Sequence, residues 1–274
     1  MGNELMDALD ITSIQNPKVK QVIHLRDRPE RDRTEQFLIE GYRELLRAVD
    51  AGWKIDFLFV CEHFFLGSNE QALIKRVRNL GAKVFFCSDQ VFKKISYRDR
   101  PDGLLAIAPQ RKLSLNELKN DVCPLYVVAE SIEKPGNLGT ILRSSDAVGA
   151  TGLIVADRCT DMYNPNVVRA SVGTLFTVPT VEVQGKEALE WLKNQGIMIL
   201  AATPHAKHEF TEIDLTGPIA IAVGTEQLGL SEQWMKESDL QVKIPMRGVA
   251  DSLNVAMATT LLLYEVSRQR QKKS

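Results

Sequence analysis

The stretch LQVKIPMRGVADSLNVAMATTLLLYEVSRQRQ, residues 240–271, decides how this chain is read. Leu240, Val242 and Ile244 alternate with polar residues, as a half-buried strand does. Past the polar turn RGVADS, Leu253, Met257, Leu261 and Tyr264 recur at helical spacing and predict one amphipathic helix. Ser252 and Asn254 stand at its mouth. Small polar side chains there cap free N–H groups or hold a ligand, and the stretch alone leaves both open.

Working outward, the residues before it alternate short apolar runs with helical patterns. PLYVVAES, GLIVAD, VPTVEV, MILAAT and IAIAVG read as strands, while GNLGTILRSSDAVG, NPNVVRASVG and EALEWLKNQG read as helices. Short apolar runs bounded by Gly and Pro fit a mainly parallel sheet covered on both faces. The first hundred residues repeat the alternation: FLIEG, IDFLFVC, KVFFCS and GLLAIAP are strands, and helices start at Pro17 and run through YRELLRAVDAG, NEQALIKRVRNLG and DQVFKKIS. Two α/β domains follow, 1–110 and 123–274, with 111–122 as a polar linker.

At 274 residues, with 44% apolar and 25% charged side chains, the chain has the composition of soluble globular proteins. No apolar run is long enough to span a bilayer, and the acidic MGNELMDALD is unlike a signal peptide, so a cytoplasmic protein is expected. Cys61, Cys87, Cys123 and Cys159 are scattered beside apolar runs without a CxxC pair or a histidine cluster. They read as buried thiols, and no metal is expected. The charge is +3 through Lys112 and −4 beyond it, for a net −1. Two basic stretches, the expected loop LRDRPERDR with Arg26, Arg28, Arg31 and Arg33, and KKISYRDR, could meet a phosphate backbone, although the first alternates with acids and reads better as a self-paired surface.

Three turns in the second half carry chemistry, each following a predicted strand. EKPGNLGTILR places Gly136, Asn137 and Gly139 at a helix N-terminus and Arg143 farther along the helix, without a P-loop or GxGxxG pattern. VGTEQLGLS brings Gly224 and Glu226 to a strand's carboxyl end, where open α/β sheets bind ligands. IPMRGVADSLNVAMA is the third.

In this order and spacing the three segments resemble the signature motifs of the SpoU (TrmH-type) RNA 2′-O-ribose methyltransferases of the SPOUT superfamily, over residues 124–268. The resemblance implies an α/β domain with a deep trefoil knot, and S-adenosylmethionine held largely by backbone around Gly224, Ile244, Met246 and Leu253. It further implies an obligate homodimer through this domain, with part of the apolar face of the C-terminal helix as interface rather than core. Arg143 would be the key catalytic residue, with Asn137, Glu226, Ser252 and Asn254 positioning it and the ribose, and with Arg169 and Ser171 as further candidates, Arg169 on the RNA. Since arginine stays protonated, holding a phosphate and polarising the 2′-hydroxyl suits Arg143 better than accepting a proton. FLIEGYRELLRAVDAG and VFKKIS…GLLAI resemble the ribosomal-protein-like RNA-binding domain found in front of many ribosomal-RNA members. Ribosomal RNA is therefore expected as substrate over transfer RNA, with a non-catalytic RNA-binding factor of the same fold as the alternative. A Rossmann-type nucleotide enzyme lacks its glycine loop here.

Overall fold

A computed structural model describes residues 9–118 and 121–273. The elements run β1 Leu9–Ile11, α1 Pro17–His24, α2 Arg28–Thr34, β2 Gln36–Glu40, α3 Tyr42–Asp50, β3 Phe57–Val60, α4 Glu70–Asn79, β4 Lys83–Cys87, α5 Asp89–Ile95 and β5 Leu104–Pro109. They continue as β6 Leu125–Glu130, α6 Pro135–Ala147, β7 Gly152–Ala156, α7 Pro165–Ala170, β8 Thr180–Val183, α8 Gly185–Asn194 and β9 Met198–Ala202. The last are β10 His208–Glu209, β11 Ile219–Val223, α9 Glu232–Glu237, β12 Leu240–Lys243 and α10 Val255–Lys273. Two compact units result: Met1–Arg111 with Tyr163–Thr177, and Lys112–Met162 with Val178–Ser274.

In the first unit five strands lie in the order β1-β4-β3-β5-β2, with β5 antiparallel to both neighbours. Helix α1 begins where Asn16 accepts a hydrogen bond from Lys18 N–H at 2.8 Å and Pro17 presets the first turn. It turns Val19 and Val22 onto a core with Leu38, Phe59, Phe85, Phe92 and Leu105. The 163–177 segment groups here through aromatic packing: the Tyr163 ring lies 4.5 Å from Phe37, and Phe176 lies 5.1 Å from Trp53.

The second unit holds one wholly parallel sheet in the order β10-β12-β9-β11-β6-β7-β8. Every residue of β6, β7 and β11 is buried, which is why these strands read as unbroken apolar runs. Both units are mixed α/β, as expected, and the parallel sheet belongs to the second.

Several expectations are corrected. The linker is no bare connection: Leu115 and Leu118 are 5% exposed and pack in the core with Tyr126, Val181 and Trp234, and Ser114 with Glu117 forms a capping box. The basic stretch after α1 is helix α2, supported by Arg28–Asp32 and Arg33–Glu30 pairs at helical spacing. In α10 the stripe Met257, Leu261 and Tyr264 faces outward at 63%, 43% and 54% exposure, while Ala256, Thr259, Leu262, Leu263 and Val266 form the buried face. Strands β1 and β10, three and two residues long, are too short to carry a period. Of the four thiols only Cys61 is buried, and Cys159 is exposed.

Candidate active site

The sheet places the site. Strand β11 lies between β6 and β9, so the turns after β6 and β11 open side by side at the carboxyl ends of adjacent parallel strands. The chain beyond β12 returns to them. Asn254, just before α10, accepts from Ala256 N–H at 3.0 Å and Met257 N–H at 3.4 Å through Oδ1, and its own carbonyl accepts from Ala258 N–H. It is therefore the helix cap. Its Nδ2 at the same time donates to Glu226 Oε1 at 2.8 Å and to Asn137 Oδ1 at 3.1 Å. One side chain thus caps the helix and joins the three turns.

Glu226 is the hub. Asn137 Nδ2 donates to its Oε1 at 2.8 Å, and Lys134 Nζ donates to Oε2. The Lys134 hydrogen bond foremost, then that of Asn137, holds this carboxyl below the ordinary carboxylate range against a small desolvation effect. It is ionised at neutral pH and correspondingly a weak base. Lys134 went unnoticed in the sequence because a lysine before a Pro-Gly turn is an ordinary surface residue. Its partner lies 92 residues away.

Gly224 has a steric reason to be glycine. A Cβ there would sit 2.1 Å from the Gly229 carbonyl oxygen and 2.4 Å from Leu230 N, because the Thr225–Gly229 loop folds back through paired hydrogen bonds of 3.0 and 3.1 Å. Ile244, Met246 and Leu253 are half-buried. From Ile244 through Leu253 the main chain makes no hydrogen bond to other main-chain groups among the described residues. Free backbone donors and acceptors thus line a partly sheltered loop.

The remaining expected residues divide. Arg143 on α6 is exposed and makes no hydrogen bond or ion pair among the described residues, one residue before Ser144, whose Oγ meets Thr260 of α10 at 2.6 Å. Ser252 is exposed and likewise unbonded. Arg28 and Arg33 are exposed on α2. Arg31 is a correction: at 1% exposure it donates to the carbonyls of Leu25 and Arg26 at 2.9 and 2.6 Å, a structural role that leaves nothing for a nucleic acid. Arg26 is half-buried, with Nη2 donating to the carbonyls of Lys94, Ile95 and Ser96 at the end of α5. Arg169 donates to Asn166 at 3.1 Å and belongs with Ser171 to the first unit; Ser171 is fully buried. Neither joins the Asn137–Glu226–Asn254 cluster. No group of three potential metal ligands occurs among the described residues.

The geometry defines a class: a parallel α/β domain whose polar cluster and unbonded loops gather at one end of the sheet. The model of the SpoU rRNA methylase family matches residues 124–264, and that of an MRM3-like substrate-binding domain matches residues 16–106. The 23S rRNA (uridine(2479)-2′-O)-methyltransferase of Streptomyces viridochromogenes is 33% identical over 252 residues, covering 90% of this chain and 87% of that protein. The AdoMet-bound rRNA methyltransferase from Sinorhizobium meliloti superimposes with a TM-score of 0.88 at 31% identity, over 96% of this chain and 98% of the other. The Streptomyces SpoU methyltransferase AviRb in complex with AdoMet gives 0.86 at 31%, over 94% and 99%. This chain belongs to the SpoU rRNA methylase family, as the motif resemblance implied.

Proposed function

We propose that this protein transfers a methyl group from S-adenosylmethionine to a ribose 2′-hydroxyl of ribosomal RNA. The observation that carries the reading is the meeting of Asn137, Glu226 and Asn254, from three segments far apart in sequence, in one hydrogen-bonded cluster. The residues suit the cofactor: the main chain from Ile244 to Leu253, unbonded to other main chain among the described residues, and the close-packed Gly224 turn offer backbone donors and acceptors without charge. When bound, the cofactor supplies an electrophilic methyl group. The chain's own task is to align the hydroxyl and make its proton acidic enough to pass to water as the O–C bond forms and the S–C bond of the cofactor breaks.

Arg143, without a hydrogen bond or ion pair among the described residues, holds an RNA phosphate and polarises the 2′-hydroxyl. Glu226 organises the site and is not the base, since Lys134 and Asn137 keep its carboxyl a weak one. Through Asn254 it ties the start of α10 to α6, and Ser252 lies on the exposed turn next to it. The trefoil knot is formed by the loops after β11 and β12. The insertion of β11 between β6 and β9 and the return of Asn254 to both turns support it. The outward stripe Met257, Leu261 and Tyr264 is the homodimer face, because three large apolar side chains at helical spacing favour cover.

The N-terminal module, ending near residue 110, grips the substrate, with Arg28 and Arg33 as exposed basic contacts. Relatives named as 23S rRNA methyltransferases, together with the substrate-binding module of this chain, favour ribosomal over transfer RNA, and a cytoplasmic location accords with that substrate. No helix among the described residues is long and apolar enough to cross a membrane.

The test is transfer of labelled methyl to unmodified ribosomal RNA and, separately, to transfer RNA, with wild type beside Arg143→Ala. Label recovered as 2′-O-methylribose in ribosomal RNA, lost by at least about 100-fold in the variant while cofactor affinity holds, is expected. Label on a base, or full activity without Arg143, overturns the reading.

A further inference from the structure

The first unit contains a cleft of about 500 Å³ at the start of α3 and α4. Its volume lies in the range of sites that enclose small molecules, roughly 300–1,000 Å³. Three of its lining residues, Glu70, Arg98 and Asp102, each carry one buried polar atom without a hydrogen-bond partner: Glu70 Oε2, Asp102 Oδ1 and Arg98 Nε. Glu70 and Asp102 are 4% and 8% exposed.

Their other atoms are engaged. Glu70 Oε1 accepts from Leu66 and Gly67 N–H at 3.2 and 2.9 Å, and Asp102 Oδ2 accepts from Tyr42 N–H at 2.8 Å. Arg98 Nη2 donates to Glu44 Oε1 at 2.6 Å and to the Glu40 carbonyl at 2.7 Å. The side chains are thus fixed by one set of bonds and left with one donor and two acceptors unsatisfied. Natural folds rarely leave buried polar atoms so, and an unpaired one is a reason to look for a ligand. On the rim, Arg43 is exposed with no ion pair among the described residues, and Leu66 presents its side chain at 83% exposure.

We propose that this cleft takes an unstacked guanine of the RNA substrate. Among the bases, guanine's pairing edge carries one acceptor, O6, beside two donors, N1–H and the N2 amino group, and so complements one donor and two acceptors. Uracil offers two acceptors and one donor, cytosine one donor and two acceptors, and adenine one donor and one acceptor; only guanine matches all three groups. Leu66 gives the base an apolar face, and Arg43 stands where a flanking phosphate passes. Reading unstacked bases by their edges is how proteins distinguish single-stranded RNA. All three unpaired atoms are closed to solvent, so engagement needs the Glu70, Arg98 and Asp102 side chains to turn toward the opening and exchange part of their present bonds for bonds to the base. The proposal rests on RNA being the substrate and adds the base that the N-terminal module reads.

The experiment measures binding of the full chain to short single-stranded RNAs that differ at one position, guanosine, inosine or uridine, in a uridine background, with GMP as a separate probe. The guanosine oligonucleotide is expected to bind about ten-fold tighter than the uridine one, with inosine, which lacks the amino group, in between. Glu70→Gln, whose amide oxygen can still accept from Leu66 and Gly67, erases the preference at unchanged melting temperature. Arg43→Ala weakens all three oligonucleotides equally and lowers the salt dependence by about one phosphate contact. Equal binding of the three oligonucleotides to wild type overturns the proposal without relying on any variant, as does a preference that survives Glu70→Gln. GMP binding that no oligonucleotide displaces overturns it in favour of a free nucleotide. Methyl transfer measured on the same preparations reports separately on the enzyme reading, because base preference needs no turnover.

Discussion

Asn254 does two jobs with two ends of one amide, and a substitution can separate them. Asn254→Ser keeps a short oxygen that caps α10 nearly as well as Asn does, but it cannot reach Glu226 or Asn137. Asn254→Ala removes both functions. Loss of the cap costs about 1 kcal/mol, a fall of roughly 2–4 °C for a unit of this size. The bond from Nδ2 to the ionised Glu226 adds up to about 1 kcal/mol, discounted from the value for buried charges because the Glu226 side chain is 27% exposed. The serine variant should therefore melt within a few degrees of wild type and the alanine variant lower. Both should lose about 10- to 100-fold in methyl transfer, because a displacement near 1 Å at the reacting centre has that effect. Thermal melting and single-turnover transfer at saturating cofactor provide the two readouts. A serine variant with wild-type turnover would show that Asn254 only caps its helix, and the argument for the cluster would fail with it.

Gly224→Ala forces a Cβ to 2.1 Å from the Gly229 carbonyl oxygen, so the loop must shift. A loss of roughly 1–3 kcal/mol in stability is expected together with cofactor affinity, and wild-type affinity by calorimetry would contradict it. Arg31→Met should destabilise the first unit by roughly 2–3 kcal/mol in urea unfolding by leaving the Leu25 and Arg26 carbonyls unpaired. A stable variant with weakened RNA binding would restore Arg31 to the surface role expected from sequence. Leu261→Glu places a charge in the outward stripe of α10 and should yield monomers in sedimentation velocity, whereas an unchanged oligomer would move the dimer face elsewhere.

Sequence alone determined the elements and the family. Apolar runs and glycine-ended helices are local signals, set by backbone sterics and side-chain period within a dozen residues, and they located most strands and helices. The three turns were legible for the same reason, as glycine and polar residues at strand ends. What sequence could not rank was partnership. LRDRPERDR offered four equivalent arginines, yet burial removed Arg31, carbonyls engaged Arg26, and only Arg28 and Arg33 stayed exposed. The periodic stripe of α10 was visible, and the resemblance led part of it to be expected outside the core, but not which side chains face outward, because the 3.6-residue period gives a face without saying what covers it. Lys134 reached Glu226, Asn254 became helix cap and cluster residue together, and Leu115 and Leu118 entered the core, all through contacts between residues distant along the chain. Such contacts depend on the strand order, which places β11 between β6 and β9, and no local pattern of residues encodes that order.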